Sequence, residues 1–474
     1  MIASLRSALA ALSLVSMAAM SSCGGDAREA ETAPSADESA PAPAPGIDIA
    51  THEGDFVEIQ QFKTPEGISV WLVNEPSIPI VSINAAWPGG SASDPQGLEG
   101  LANSVVYQMN EGAGELEALA FQTRMEELNM SFGCSAGRDW TSCSANMLRE
   151  NAGEAMDLVA LAMNEPRFDD GPFERFQREA LIGIKRRVTS PGFLASEAME
   201  AALYPDHPYA RETSAASIDA LSRSLALSHK DELMVREGML VTAVGAITPG
   251  ELAPMVDKAF AGLPAEGDLD LPGEVVLEDP LAAPKRVDLP QPQSLVRFMA
   301  PGLQRDHPDF FAAYVLNYTF GGGGFESRLM KELRVAQGLT YGIGTGLGFG
   351  GELATWSGRG QTRNETAGRF VKGIKDQMRA ISRQGITEQE LADAKAYLTG
   401  AYPLAFDSNS KIAGQMMGVR QQELGVDYFD RRNAAIEAVT LDDANRVAAE
   451  WLKPERFTFV LVGEPEGIEP AGTD

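Results

Sequence analysis

Asn103 and Tyr107 stand four residues apart in "GLANSVVYQM" (100–109), and Arg334 and Tyr341 stand seven apart in "ELRVAQGLTYG" (332–342). Side chains at i and i+4 of a helix can share one ligand. A metal would need imidazole, thiolate or carboxylate at such a pair, and an amide with a phenol is neither. The second pair suits a different task. A guanidinium carries a permanent charge and several donors, and a phenol can donate to a developing oxyanion. Equally, Arg334 could meet a carboxylate and Tyr341 could pack in a core. The four histidines, His52, His207, His229 and His307, form no H-x-x-x-H or H-x-E, and no C-x-x-C occurs. His207, in "DHPY", reads as a packing residue.

The elements that must hold these pairs are legible from periodicity. Leu98, Leu101, Ala102, Val105, Val106 and Met109 recur at helical spacing, which predicts a helix over 98–110 with Asn103 and Tyr107 on its polar face. "FESRLMKELRVAQG" (325–338) predicts a second helix with Phe325, Leu329, Met330 and Leu333 on one side and Gly338 as the residue that ends it. "LTYGIGTGLGFG" then reads as a strand. Gly342, Gly344, Gly346, Gly348 and Gly350 alternate along it, so one face is bare, and close packing of another backbone is expected there. Gly321, Gly322, Gly323 and Gly324 precede this helix. They lack the Lys-Ser/Thr of a phosphate-binding loop.

"WPGGSASDPQGLEGLANSVVYQMNEGAG" (87–114), "YPDHPYARETSAASIDALS" (204–222) and "GGGGFESRLMKELRVAQGLTYGIG" (321–344) together resemble the insulinase/pitrilysin-type zinc peptidases, the inverzincins. Three separated signatures occur in order, and the likeness spans residues 55–465. In that family H-x-x-E-H on a helix supplies two zinc ligands and a general base. The matching positions here are Asn103, Val106 and Tyr107. The family's third ligand, a glutamate, falls on Gly183, with Ile184 as the neighbouring alternative. Valine cannot move a proton. No metal or cofactor is therefore expected in this chain, and the catalytic set is degenerate at all four positions. Arg334 and Tyr341 match the family's Arg/Tyr pair, which the resemblance implies holds the substrate peptide and polarises its scissile carbonyl. The glycines 321–324 match a segment that helps engage substrate in the mitochondrial processing peptidase, although a flexible interhelical turn accounts for them as well.

The resemblance implies an α+β fold of two homologous domains, each a mixed sheet with helices packed on it. Residues 217–245 align without a gap on 435–463, which suggests duplication. A stretch with six prolines, 264–293, separates the copies. The expected organisation is a signal peptide (1–22), a disordered Ala/Pro/Glu tether (23–50), an N-terminal domain (51–265), a linker (266–285) and a C-terminal domain (286–468). Arg6 and the apolar run from Ser7 to Met20 form the leader, and Cys23 follows "MSS" as in the lipobox of bacterial lipoproteins. An ordinary secretory leader is the alternative. Either places the mature chain in the cell envelope, facing the periplasm. Cys134 and Cys143 fall opposite each other if "SFGCSAGRDWTSCSAN" (131–146) is a hairpin turning at Arg138-Asp139, either as a disulfide or as two buried thiols.

The net charge of −28 argues against nucleic acid and against an anionic membrane surface, so membrane association would run only through the N-terminal lipid. The expected role is the non-catalytic subunit of a two-chain zinc metallopeptidase. It supplies the Arg/Tyr pair to a homologous H-x-x-E-H-bearing chain that carries the zinc, in a heterodimer acting on peptides. A homodimeric, catalytically inert peptide-binding or scaffold protein of the envelope is the alternative.

Overall fold

The computed structural model describes residues 47–54 and 56–468. The leader and Cys23 lie outside the described residues. Ile49 and Ala50, which the composition assigns to the end of a tether, belong to the first strand.

Two mixed sheets form the frame. The N-terminal sheet contains β1 (Ile49–Glu53), β2 (Glu58–Lys63), β3 (Ser69–Asn74), β4 (Ile80–Pro88), β5 (Ser131–Ala136), β6 (Trp140–Leu148) and β7 (Leu240–Gly245), in the order β1-β2-β3-β7-β4-β6-β5. The C-terminal sheet contains β8 (Lys285–Asp288), β9 (Gln293–Pro301), β10 (Thr340–Gly348), β11 (Thr355–Arg363) and β12 (Thr458–Gly463), in the order β8-β12-β9-β11-β10. Each sheet has one parallel pair, β3 with β7 and β8 with β12. The helices that bear on the site are α1 (Leu101–Gln108), α2 (Asp170–Arg187), α3 (Pro191–Leu203), α4 (Arg223–Leu233), α5 (Phe310–Asn317), α6 (Glu388–Gly400), α7 (Asn409–Gln421) and α8 (Leu441–Trp451). No helix among the described residues is long and apolar enough to cross a membrane.

The internal repeat reaches further than the aligned sequences indicate. A constant offset of 218 residues carries α3 onto α7, α4 onto α8 and β7 onto β12, each with identical length. Even the caps correspond. Ser190 and Ser408 accept a backbone N–H at the starts of α3 and α7, and Ser222 and Thr440 do so at α4 and α8. Strands β4 and β9, nine residues each, share one burial pattern, two runs of three buried residues on either side of a partly exposed one.

Each half buries one face of its sheet under its own helices, around Trp87, Phe121 and Met163 in the first and Phe298, Trp356 and Phe370 in the second. The opposite faces are covered reciprocally. Helix α7 of the C-terminal half lays Ile412, Ala413, Met416 and Val419 on Ile59, Trp71, Val73 and Val244. Helix α3 of the N-terminal half lays Ala195, Met199 and Leu203 on Leu295, Met299, Val460 and Val462. Arg420 closes the first contact by donating to the Val241 carbonyl at 2.6 Å and the Ser69 carbonyl at 3.1 Å.

The proline-rich stretch between the halves is fastened along its length. The Glu278 N–H donates to the Leu203 carbonyl at 2.7 Å, and that of Leu281 to Thr458 Oγ1 at 3.2 Å. Val275 and Leu277 pack on the α3 cluster. Its end also shifts slightly, since Lys285 is already paired with Val460 in β8. In the β5–β6 hairpin the register sets Cys134 opposite Cys143, and the two are joined as a disulfide.

Candidate functional site

Helix α1 carries the first chemistry-bearing pair. Asp94 caps its start, accepting from the Gly100 and Ala102 N–H groups at 2.7 and 2.8 Å. The apolar stripe packs inward as its spacing predicts, with Leu101, Ala102, Val105, Val106 and Met109 all buried. Asn103 is exposed and Tyr107 partly so. Ser104 and Gln108 are also buried, against their polarity. The hydroxyl of Ser104 is satisfied by the Leu101 carbonyl one turn back.

Tyr107 faces α2. Its hydroxyl accepts from Arg175 Nε at 3.1 Å and donates to Glu179 Oε2 at 3.2 Å, while Arg175 also grips Glu111 at 2.6 Å. Burial pushes the phenol above its ordinary range, only partly opposed by the Arg175 donor. Gly183 lies one turn beyond Glu179 on α2, with open space where a side chain would be. Val106 belongs to the N-terminal core.

Zinc does not fit this arrangement. The positions offer an amide, an apolar side chain, a neutral phenol already engaged by a guanidinium, and a glycine, where zinc needs imidazole, thiolate or carboxylate. No group of three His, Cys, Asp or Glu capable of holding a metal occurs among the described residues. His229 is buried beside Asp94 and Glu232, while His52 pairs with Asp430 and His207 with the Gly273 carbonyl.

The second pair is brought together. The Arg334 guanidinium lies 4.5 Å from the Tyr341 ring centroid and 4.4 Å from that of Phe325. Contact with two ring faces restricts the cation's position. Arg334 makes no ion pair among the described residues, and Tyr341 is 86 % exposed, so neither an ion pair nor a core role accounts for them. The sequence-predicted helix is broken here. A short 3₁₀ turn spans Gly324–Glu326, and Met330–Ala336 is π-helical, a widened turn often found at functional sites. Leu329, Met330 and Leu333 face the core, whereas Phe325 is 57 % exposed and serves Arg334 instead. Gly338 ends the segment at φ +61°, as its position predicts.

Glu390 of α6 anchors that segment. It receives two donors from Arg328 at 2.6 Å, and Arg328 also donates to the Gly385 carbonyl. Burial alone would raise the Glu390 carboxyl, but the Arg328 donors and the Thr387 N–H overcome it and bring it to about 2. A depressed carboxyl contributes stability that is complete above its ordinary 4.5 and is lost as the pH falls through about 2. Glu390→Gln is therefore expected to lower the unfolding free energy at pH 7 by roughly 2 kcal/mol. The difference from the parent, followed by urea unfolding at decreasing pH, should shrink below pH 4.5.

The four glycines are not a loose turn. A Cβ on Gly321 would fall 2.5 Å from Thr345 Oγ1, one on Gly322 2.6 Å from Asn317 Nδ2, and one on Gly323 2.8 Å from the Tyr318 carbonyl oxygen. Gly324 sits at φ +57°. Beneath them Asn317 accepts from Thr345 Oγ1 at 2.8 Å and from the Trp356 indole at 3.0 Å, tying the glycines to β10 and β11.

The bare glycine face of β10 is open, contrary to the close packing expected from alternation. It borders a cleft of about 1290 Å³ that runs along residues 338–346, past Gly321, Gly322 and Gly324, to the first turn of α3. A Cβ built on Gly342 or Gly346 would meet nothing. A bulge between Thr340 and Ile343 breaks the alternation, so Tyr341 and Gly342 are both exposed beside the cleft. Sequence reasoning missed this cleft because its far wall, α3, comes from the other half of the chain. Glu111, Arg175 and Glu179 around Tyr107 were also missed, and α2 shows no spacing signal that would single them out.

Residues 69–217 match the family model described as insulinase (peptidase family M16), and residues 222–398 match that described as peptidase M16 inactive domain. The chain is 25% identical over 408 residues to the non-peptidase homolog YmxG of Helicobacter pylori, covering 85% of this chain and 93% of that one. It is 19% identical over 441 residues to the mitochondrial-processing peptidase subunit beta of Lentinula edodes, covering 89% and 93%. A solved peptidase M16 inactive domain from Pseudomonas fluorescens superposes with a TM-score of 0.80 at 25% identity, covering 87% of this chain and 100% of that one.

Proposed function

The chain belongs to the insulinase (peptidase M16) family, and from that premise we propose that it is the substrate-holding, non-catalytic subunit of a two-chain zinc metallopeptidase. The single observation that carries this reading is the contrast between its two sites. The metal-ligand positions are rebuilt as core packing and a Tyr107–Arg175–Glu179 network. The Arg334–Tyr341 pair, by contrast, stays assembled, with Arg334 half-buried and Tyr341 exposed where it lines an open cleft. A pure scaffold has no need to hold a cation and a phenol free in this way.

In this reading the homologous partner carries H-x-x-E-H and zinc, and its metal activates the attacking water. This chain supplies binding and orientation. An extended peptide lies beside β10, and the N–H edge of Arg334 with the Tyr341 hydroxyl donates to the carbonyl oxygen as charge grows on it. The glycines 321–324 form a wall where main chains can approach closely. The names of two relatives fit the reading, one a non-peptidase homolog and the other a peptidase subunit. The leader and Cys23 would place the complex in the cell envelope, facing the periplasm and held by lipid.

The test is a pull-down of the lipid-free chain from its own cell extract, with zinc content and peptide cleavage measured on the eluate. A co-purifying homologue with intact H-x-x-E-H that brings both zinc and activity supports the subunit reading. Elution alone, without metal or cleavage, leaves the inert peptide-binding role in its place.

A further inference from the structure

The cleft beside Tyr341 has a charge opposite to that of the molecule. The chain holds 67 acidic and 39 basic residues, for a net charge of −28. Yet the residues lining the cleft include Arg297, Arg359 and Arg363 and no aspartate or glutamate. Gly358 and Gly360 back onto Phe298 and Phe370 in the core, so their alternating neighbours Arg359 and Arg363 stand on the outer face of β11. Arg297 of β9 is directly opposite Arg359 on the same face.

Like charges at directly opposed positions destabilise a sheet. Arg359 and Arg363 have no ion-pair partner among the described residues. Arg297 donates to the Ser196 hydroxyl of α3, a neutral group. The carboxylate whose field reaches Arg297 is Glu200, one turn further along α3. Burial and neighbouring Glu212 push Glu200 up to about 7, so it is largely protonated at lower pH and half so at neutrality. The first turn of α3, Pro191 to Phe193, also lines the cleft and adds the positive end of a helix dipole. An uncompensated cluster of this kind costs folding stability and is relieved by a bound anion.

The other side of the cleft suits a main chain. Nine consecutive residues from Gly338 to Gly346 line it, pointing to both faces, so the backbone of β10 itself is presented. Strand β10 is the sheet edge, and Gly342 and Gly346 leave room for another backbone.

We propose that the cleft takes an extended acidic peptide, with carboxylate side chains on Arg297, Arg359 and Arg363 and main chain against β10. This rests on the substrate-holding reading above and deepens it by naming the class of peptide held. Arginine pairs carboxylates through two parallel donors, which favours peptide acids over diffuse negative charge.

The experiment is fluorescence anisotropy on the whole lipid-free chain with a labelled decapeptide alternating glutamate and valine. Matched peptides carry glutamine or lysine for glutamate, and a fourth keeps glutamate but has alternate backbone nitrogens methylated. The glutamate peptide is expected to bind roughly tenfold or more tightly than the glutamine one, and the lysine peptide to bind least. The double substitution Arg359→Gln with Arg363→Gln, at exposed positions, should bring the glutamate peptide to the glutamine level and leave the glutamine peptide unchanged. Methylation should weaken binding.

Equal binding of glutamate and lysine peptides, or no effect of the double substitution, overturns the proposal. Undiminished binding of the methylated peptide overturns its peptide half and leaves a simple anion cleft. The assay needs neither partner nor zinc. Acidic-peptide binding here, together with a pull-down that recovers no cleaving partner, would sink the subunit reading alone. Cleavage that depends on Arg334 but shows no charge preference would sink this proposal alone.

Discussion

In the proposed complex with a zinc-bearing partner, Arg334→Ala is expected to lower peptide cleavage by about 10³-fold and Tyr341→Phe by about 10²-fold, which is the range for losing one donor to a developing oxyanion. The larger effect belongs to Arg334 because alanine removes both the charge and the donors, whereas phenylalanine keeps the ring and loses only the hydroxyl. The loss should fall on kcat more than on KM if the donors act on the carbonyl as charge develops. Folding is a clean control. Arg334 meets only two ring faces, worth about 1 kcal/mol each at an exposed site. Stability should therefore fall by no more than about 2 kcal/mol, and co-purification with the proposed partner should persist. Full activity in either variant would remove the pair from the mechanism and return the chain to a scaffold role. Phe325→Ala makes an intermediate case, because it frees the guanidinium without deleting it, and a loss of about tenfold would show that the restricted position matters.

A chain cut after residue 265 is expected not to fold by itself, nor a chain starting at 266. The cause is the reciprocal exchange of α3 and α7. Without the C-terminal half, the N-terminal sheet would lose α7 together with Leu424, Tyr428 and Phe429 and expose Ile59, Trp71, Val73 and Val244. Each large apolar side chain returned to water costs about 1.5–3 kcal/mol, against a total stability of only about 5–15 kcal/mol for a typical domain. Arg420 would be lost from the Val241 and Ser69 carbonyls as well. The C-terminal half would lose Met199 and Leu203 from Leu295, Met299 and Val462 in the same way. Near-UV circular dichroism and urea unfolding of each piece, alone and co-expressed, check this. Cooperative unfolding of either piece alone would contradict it, while recovery on co-expression would support it. As a graded version in the whole chain, Met199→Ala and Met416→Ala, both fully buried, should each cost about 2–5 kcal/mol. One cooperative transition is expected in every case, because the exchanged helices α3 and α7 couple the two halves' cores.

Much of this molecule is written in local pattern. The stripe of α1 appears in its leucines, valines and alanines because helical burial repeats every 3.6 residues, a spacing that sequence records directly. The register of the β5–β6 hairpin follows from counting outward from Arg138-Asp139. The duplication is visible where helix α4 and strand β7 recur as α8 and β12, since equal lengths of equal elements leave equal strings. The loss of the zinc ligands needs only the identities of Asn103, Val106, Tyr107 and Gly183, because residue type alone decides what can bind a metal.

Three things were decided only in three dimensions. Phe325 has the spacing of a core residue, but it lies in a 3₁₀ turn separated from the following helix by the extended Ser327, and it meets Arg334 instead; a break of that kind leaves no periodic trace. The alternating glycines of β10 promise a bare face, but whether a neighbour fills it depends on how α3 lies across the sheet, more than 100 residues away in the chain. The arginines of the cleft come from β9 and β11, whose side chains meet only because the strands pair in one register. Sequence therefore determined the elements, the repeat and the residue types at the expected ligand positions, which are properties read along the chain. Tertiary structure decided which half covers which sheet, what remains open, and what charge the opening carries, since those depend on contacts between residues that the chain keeps far apart.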